Sequence, residues 1–522
     1  MINKTMFKRY VVRKYAIVLL SLFVLSCQKD EKEVDILDPN LLSVSFQKAN
    51  NPSLESDVEL DFDNEDTFSG FVPYGTSIRS LIATYEFVGS SVQIDGEEQT
   101  SSVSSNDFGK ERMVSILDDG GNGKDYLIRL HYHTGLPIVS LSAFDPETVA
   151  REYYIPAEIS IYGGLDFQDI EDRPIQIRGR GNSTWTAEGV AKKPYQIKFL
   201  EGQEVLGMAD DRRWVLLAEY FDRSMIRNKL SYEMGQMSSF DYSPQGEYVE
   251  LFINDKPQGT YVLAQKVEES KNRLDIGDNG YLIEMDQRYR VAEDDVHFES
   301  PIFRQRTEKF SWLDTIYNIK EPADIQYGSE AYSNIENFVN AFEEVLFGDN
   351  FKDSEEGYRS YIDLDSFIDW YLINEIGKSV DAYGYASVFF SYVPGEKIKM
   401  GPIWDFDLSY GNADYSATAF YAEGNHVNQH PWFERLLEDD FFRQKVIERY
   451  THYFDKRDEF LALIDKFSDK INRSQVLNYE LYQNLGEEMW NNRLAVFQTH
   501  AEEVEYLKSW LFERINWMNG NL

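Results

Sequence analysis

The chain has 522 residues, 42% of them hydrophobic and 15% aromatic, which is enough for more than one packed core. Its formal net charge is −38, and because residues 1–26 carry five basic and no acidic side chains, the remainder sets 47 basic against 90 acidic ones. Such a body repels nucleic acid and anionic lipid surfaces at long range, and a single cysteine, Cys27, excludes an intrachain disulfide or a cysteine-based zinc site.

Lys4, Lys8, Arg9, Arg13 and Lys14 precede an apolar run from Ala16 to Ser26, too short to span a bilayer and laid out like a secretory signal. The run ends Phe23-Val24-Leu25-Ser26-Cys27, which resembles the lipobox of bacterial lipoproteins, and that resemblance implies a lipid on Cys27. Residues 27–40 are charged and read as a flexible tether. The expectation is an envelope protein held outside the cytoplasm by its lipid, with the outer membrane or cell surface as its place.

Between residues 41 and 135 short alternating runs recur, among them Leu42 to Phe46, Asp57 to Phe62, Ala83 to Phe87, Ser91 to Ile94, Met113 to Ile116 and Tyr126 to Leu130. A period of two at this spacing predicts a small antiparallel sandwich, similar to the Ig-like or cadherin-like modules of surface lipoproteins. It carries no chemistry and reads as a spacer.

From residue 136 the composition supports a larger domain. A strand at Ile175 to Arg178 runs into the glycine-rich turn Gly179-Arg180-Gly181-Asn182-Ser183, where the missing side chains would let main-chain N–H groups approach a phosphate. In Lys192 to Phe199, Tyr195, Ile197 and Phe199 share one face; Lys198 on the other, or Lys193 at the strand's mouth, could reach that phosphate. Strands at Trp214 to Tyr220, Tyr248 to Ile253, Gly259 to Ala264 and Tyr281 to Asp286 follow, the middle two joined by a loop at Asn254 to Gln258. One helix containing Met225 to Leu230 interrupts them, with Asp222 or Ser224 as its cap. Residues 159–286 thus outline a strand-rich lobe able to hold a nucleotide.

The polar stretch from Asp286 to Asp324 reads as loops. Helical spacing then places Ile335, Phe338, Val339, Phe342, Val345 and Leu346 on one face, and likewise Leu364, Phe367, Trp370, Tyr371 and Ile373 in a helix that Asp381 closes. A hairpin of Val388 to Tyr392 and Ile398 to Met400 brings the chain back to Trp404-Asp405-Phe406-Asp407-Leu408. In an extended segment Asp405 and Asp407 would project from one side, and a hard divalent cation, Mg²⁺ or Mn²⁺, is the usual answer to their repulsion. Reversal of the chain puts Asp381 at the same end. Trp432 to Phe454, Glu459 to Ile471 and Glu502 to Trp517 read as amphipathic helices with structural roles.

Taken in order, Arg178 to Ser183, Lys192 to Phe199, Leu216 to Tyr220 with Arg227 to Leu230, Gly259 to Tyr261, Asn374-Glu375 with Asp381, and Trp404 to Leu408 resemble the CotH family of spore-coat-type atypical protein kinases, over residues 136–522. The resemblance implies an α+β chain whose kinase-like domain has a strand-rich and a helical lobe, binds ATP with Mg²⁺ or Mn²⁺, and phosphorylates Ser or Thr of secreted or surface proteins. It implies Asp381 as the catalytic-loop acid and Asp405, with Asp407 as a second candidate, as metal ligands. Lys193 or Lys198 would hold the nucleotide phosphates, with Glu219 or Glu268 as ion-pair partner, and Arg178, Arg180, Asn182 and Arg227 are further candidates around the nucleotide. One departure stands out: five residues after its catalytic acid a usual protein kinase carries a metal-binding Asn, and here the residue is Ala386. Two other readings share these residues, a non-catalytic surface lipoprotein that keeps the fold and a metal-dependent hydrolase.

Overall fold

A computed structural model describes residues 38–62, 66–164, 166–310 and 312–522. The predicted signal, Cys27 and most of the tether lie outside the described residues. The chain divides into two compact units, residues up to 71 with 76–131, and residues 72–75 with 132–522. No helix among the described residues is long and apolar enough to cross a membrane.

The first unit is built of antiparallel sheets, as its alternation predicts. One sheet places Asn40–Phe46 between Val58–Glu59 and Thr84–Val88; a second includes Arg112–Leu117 between Gly123–His133 and Ser91–Ile94. The Tyr126 hydroxyl ties the two together, accepting from Leu41 N at 3.1 Å and donating to Asn40 Oδ1 at 2.5 Å.

The second unit is α+β. Seven strands close into a barrel in the order Ile138–Ser142, Ile155–Tyr162, Ile170–Gly179, Tyr195–Val205, Met208–Leu217, Lys256–Gln265 and Gly246–Ile253. All neighbours are antiparallel except the closing pair, where Ile138–Ser142 runs parallel to Gly246–Ile253. Alternation fills the barrel from within: Ile175, Ile177, Tyr195, Ile197, Phe199, Trp214 and Leu216 join one buried cluster. The hairpin turn is shorter than the glycine and proline suggest, because Asn254 and Asp255 both take left-handed φ values of 46° and 58° and make a two-residue turn, leaving Pro257 and Gly259 in the strand.

Beside the barrel a five-stranded sheet orders His297–Phe298, Thr315–Glu321, Tyr281–Gln287, Val388–Tyr392 and Lys399–Met400. Residues 286–324 are therefore not all loop. Thr315–Glu321 pairs with Tyr281–Gln287, and Ser300 caps a helix at Pro301–Thr307. Helices Glu330–Phe347 and Leu364–Gly377 pack the predicted faces, with Ile335, Val339, Phe342, Phe367, Trp370 and Ile373 in the main core. The helix predicted at 432–454 is two, Pro431–Leu436 and Asp440–Asp455, because the Asp439 side chain caps the second. A helix at Ser474–Tyr482 has no counterpart in the predicted elements, whereas Arg457–Ile471 and His500–Met518 match theirs.

Candidate functional site

A cavity of about 790 Å³ lies in the second unit, and elements far apart in sequence supply its wall. The glycine-rich turn contributes Arg180, Gly181 and Asn182; the end of a barrel strand contributes Glu219; and the central sheet strand contributes Glu284 and Asp286. Asp381, Asp405 and Asp407 complete the acids. Among the described residues six carboxylates thus face three guanidinium groups, Arg151, Arg180 and Arg290, and no lysine lines the cavity.

Each wall has a local cause. Gly179 has no room for a side chain, since a Cβ would fall 2.4 Å from the Trp185 ring. Gly181 holds φ at +82°, and a Cβ there would meet Thr184 Oγ1 at 2.3 Å. The main-chain N–H groups of Gly181 and Asn182 make no hydrogen bond among the described residues. The helix Leu364–Gly377 stops at Lys378, which adopts the left-handed conformation with φ 44°. Asp381 therefore sits in the turn after the helix and does not close it. Lys378 Nζ is spent on the carbonyl oxygens of Tyr421 and Glu423, and His426 Nε2 lies 3.2 Å from the Val380 carbonyl, so the residue before Asp381 is anchored from the 421–426 loop.

The segment carrying Asp405 and Asp407 is not a strand. Asp405 has φ +69°, and a turn begins at Asp407. Phe406 is buried, while Trp404 stacks on Tyr232 with ring centroids 5.6 Å apart. Both carboxylates still reach the same cavity because Asn228 fixes the backbone between them: its Oδ1 accepts from Phe406 N at 2.7 Å, and its Nδ2 donates to both Glu219 oxygens at 3.1 Å. Ser387 Oγ donates to Asp405 Oδ2 at 3.1 Å.

Electrostatics mark the cavity as short of positive charge. Burial pushes the Asp381 carboxyl up to about 7, opposed by Arg290 and reinforced by Asp405. Glu219 is raised to about 8 by burial and then by Asp222. Asp286 is raised to about 7 by burial and Glu284, against the pull of Arg290. Asp407 is raised well above the carboxylate range by burial, then by Asp405, Glu219, Asp222 and Asp381. Hard oxygen donors in excess fit a divalent cation. Among the described residues no three metal-ligating side chains stand close enough to hold one by themselves.

Of the residues proposed from sequence, Asp381, Asp405, Asp407, Arg180, Asn182 and Glu219 come together on this wall. The others do not. Lys193 Nζ donates to the Trp185 carbonyl at 2.8 Å, and Lys198 lies over the Tyr154 ring at 5.7 Å. Arg178 stacks on the same ring at 4.8 Å and donates to Gln196. Arg227 is fully buried, paired with Asp222 and donating to the Ser409 carbonyl at 3.0 Å, so it braces the loop after Asp407 and does not face the cavity. Glu219 pairs with Asn228 and not with a lysine, and Glu268 with Arg213, Arg273 and Lys266. Asn228 stood within the Arg227 to Leu230 segment and Asp286 at a strand's end without a role at the site, and Arg290 stands in no recognisable spacing.

A barrel and a helical body that bring acids from four segments to one guanidinium-bearing cavity define a class of protein, and comparison names it. The family described as CotH kinase protein matches residues 175–518, and the chain belongs to that family. It is a CotH-type, kinase-like protein, with the general dependence on nucleotide and metal which that membership suggests. No curated protein matches the chain. Among solved structures, one described as a "putative glycoside hydrolase" from Bacteroides thetaiotaomicron aligns at 14% identity over 50% of this chain and 74% of that chain, with a TM-score of 0.17. A superposition that poor informs neither fold nor function.

Proposed function

We propose that the protein is an extracytoplasmic, lipid-anchored CotH-type protein kinase. In this reading it transfers the ATP γ-phosphate to Ser or Thr of secreted or surface proteins, with Mg²⁺ or Mn²⁺. The observation that carries it is the meeting of Asp381, Asp405 and Asp407 with Arg180 and the Gly181 turn on one cavity. The barrel would act as the nucleotide-holding lobe and the helical body as the second lobe of a kinase-like domain. The first unit would be an Ig-like spacer, and the leader with Cys27 would tether the whole to the envelope.

In this scheme Arg180 and the unbonded N–H groups of Gly181 and Asn182 hold phosphate oxygens, a task first assigned to a lysine. Asp405 and Asp407 hold the cation, which when bound neutralises phosphate charge. Asp381 orients the acceptor hydroxyl and takes its proton; its raised pKa makes it a better base than an ordinary carboxylate. Asn228 keeps Glu219 and the 405–407 backbone in register. Positioning and charge neutralisation are most of what phosphoryl transfer asks of a protein.

The test uses the purified chain, labelled ATP and Mg²⁺. Label should enter the protein or an added acceptor with the wild type, and not with Asp381→Asn. ATP binding should need the metal and Asp405. Binding that survives without metal and in Asp405→Ala, together with no transfer, would favour a non-catalytic surface lipoprotein. Release of inorganic phosphate with no labelled acceptor would favour a hydrolase.

A further inference from the structure

Among the described residues two guanidinium groups of the cavity, Arg180 and Arg290, are left over after the fold has made its bonds, and Arg290 is the one without a role in the kinase scheme. Arg290 ends the short turn Arg288–Arg290 that follows the sheet strand Tyr281–Gln287, and its side chain is 17% exposed. Its one ion pair joins Nε to Asp286 Oδ1 at 3.1 Å, in a geometry that leaves Nε without a hydrogen bond. The two terminal nitrogens have no hydrogen-bond partner among the described residues.

The arginines that brace this fold look different. Arg223 gives both terminal nitrogens to the Glu487 and Ala495 carbonyls beside an ion pair with Glu503, and Arg514 makes four hydrogen bonds; Arg227 and Arg273 each leave one nitrogen without a partner but bond through the other two. A buried Nε without a hydrogen bond is costly for stability alone, and the terminal nitrogens of Arg290 stand open to the cavity. Its surroundings say what it awaits. Arg290 lies in the field of Asp286, Asp381, Asp405 and Glu284, and it is the strongest charged neighbour of Asp381. The Tyr385 ring stands 5.7 Å from the guanidinium, and the Tyr385 carbonyl accepts from Gln287 Nε2 at 2.7 Å, so the turn after Asp381 that carries the ring is tied to the strand end that leads into Arg290.

We propose that Arg290 is a catalytic residue whose free terminal nitrogens bind the phosphoryl group while it passes from nucleotide to acceptor. This rests on the kinase reading. The planar fork of a guanidinium matches two phosphoryl oxygens at once. Sharing the cavity wall with Asp381 and with its own ion partner Asp286, Arg290 suits the transferred end of the triphosphate, and Arg180, over the Trp404 ring at 5.2 Å, the turn that grips the rest. In the step, the bond from phosphorus to the bridging oxygen of ADP breaks, and that oxygen keeps the electron pair. A bond from phosphorus to the acceptor oxygen forms, and the acceptor proton goes to Asp381. Arg290 donates hydrogen bonds to the equatorial oxygens throughout and neither gains nor loses a proton.

The experiment compares the full chain with Arg290→Ala and Arg290→Lys, measuring transfer kinetics and the binding of ADP with and without aluminium fluoride, a stand-in for the phosphoryl group. Arg290→Ala should lose about 10³-fold in kcat, the scale of an arginine that stabilises this transition state, with KM for ATP moving less than about threefold. Binding of ADP alone should persist, and its tightening by aluminium fluoride should vanish. Arg290→Lys should be nearly as slow, because an ammonium cannot fork. Variants that transfer within about tenfold of the wild-type rate, or that keep the tightening by aluminium fluoride, overturn the proposal and leave the kinase reading intact. A wild-type protein that transfers no label and binds no nucleotide overturns both.

Discussion

Loss of Arg514 should unsettle both the fold and the Asp381 turn, by an amount that can be counted. Arg514 and Glu375 are fully buried and joined at 2.6 Å. Arg514 also donates to the carbonyls of Glu375 at 3.1 Å, Ala422 at 2.9 Å and Gly424 at 2.6 Å, while the Glu375 carboxylate accepts from His426 N at 2.8 Å and Val427 N at 2.6 Å. One ion pair therefore ties the end of the helix before Asp381 to the 422–427 loop and to the last helix. Arg514→Leu keeps the bulk and strands a buried carboxylate with only its two amide donors. Breaking a buried pair from one side costs about 3–5 kcal/mol, and the orphaned Ala422 and Gly424 carbonyls add to it, the Glu375 carbonyl keeping Lys378 N, so a loss of about 5 kcal/mol is expected. Against the usual 5–15 kcal/mol of a folded domain this is a large fraction.

Urea unfolding of the full chain, followed by tryptophan fluorescence, would measure it. The pH dependence is a second check. Burial already holds the Glu375 carboxyl above its ordinary range, and removing Arg514 raises it further. A carboxyl whose folded pKa exceeds its unfolded one stabilises the folded state as pH falls through that interval, because the folded state then binds the extra proton. The deficit of Arg514→Leu should therefore shrink as pH falls from neutrality toward the ordinary carboxyl range. A loss under about 1 kcal/mol at neutrality, or a deficit that grows on acidification, would refute the counting.

Other substitutions probe the cavity wall. Asn228→Leu removes the link between Glu219 and Phe406 N and should cost about 2–3 kcal/mol in unfolding free energy, with a parallel loss of nucleotide affinity by calorimetry. Gly181→Ala forces a side chain into a left-handed φ of +82° against Thr184; it should cost about 1–2 kcal/mol and weaken nucleotide binding, and Gly181→Ala with Thr184→Ala should recover only the steric part. Lys193→Ala and Lys198→Ala should bind nucleotide within about twofold of the wild type, whereas Arg180→Ala should lose tenfold or more, about 1.4 kcal/mol. A reversed order would move the phosphate contact back to the lysines.

What the residues announced and what they hid divide along the distance over which they act. Alternation is local, so the inward face of Ile175, Ile177, Tyr195, Ile197 and Phe199 was legible, and so was the hairpin of Val388–Tyr392 with Lys399–Met400 that returns the chain toward Asp381. Barrel closure was not, because it depends on a parallel pairing of Ile138–Ser142 with a strand more than one hundred residues away. The spacing of Asp405 and Asp407 pointed to the right cavity for a mistaken reason. A pleated strand would have set them side by side, and instead a left-handed Asp405 and an Asn228 hydrogen bond across 178 residues of sequence bring them round.

The lysine expectation failed through the same alternation that built the barrel. With Tyr195, Ile197 and Phe199 inside, Lys198 faces outward over Tyr154, and Lys193 is consumed by the Trp185 carbonyl. Positive charge enters the cavity instead at the tip of the glycine turn, where Arg180 stood among the candidates, and at the end of a sheet strand, where spacing gives no warning of Arg290. A guanidinium there serves a phosphate better than an ammonium would, since it cannot be neutralised by the burial that depresses the pKa of Lys192 to about 7. The carboxylates and Arg180 could be found from their patterns, whereas Arg290 acquires meaning only from the bonds it leaves unmade.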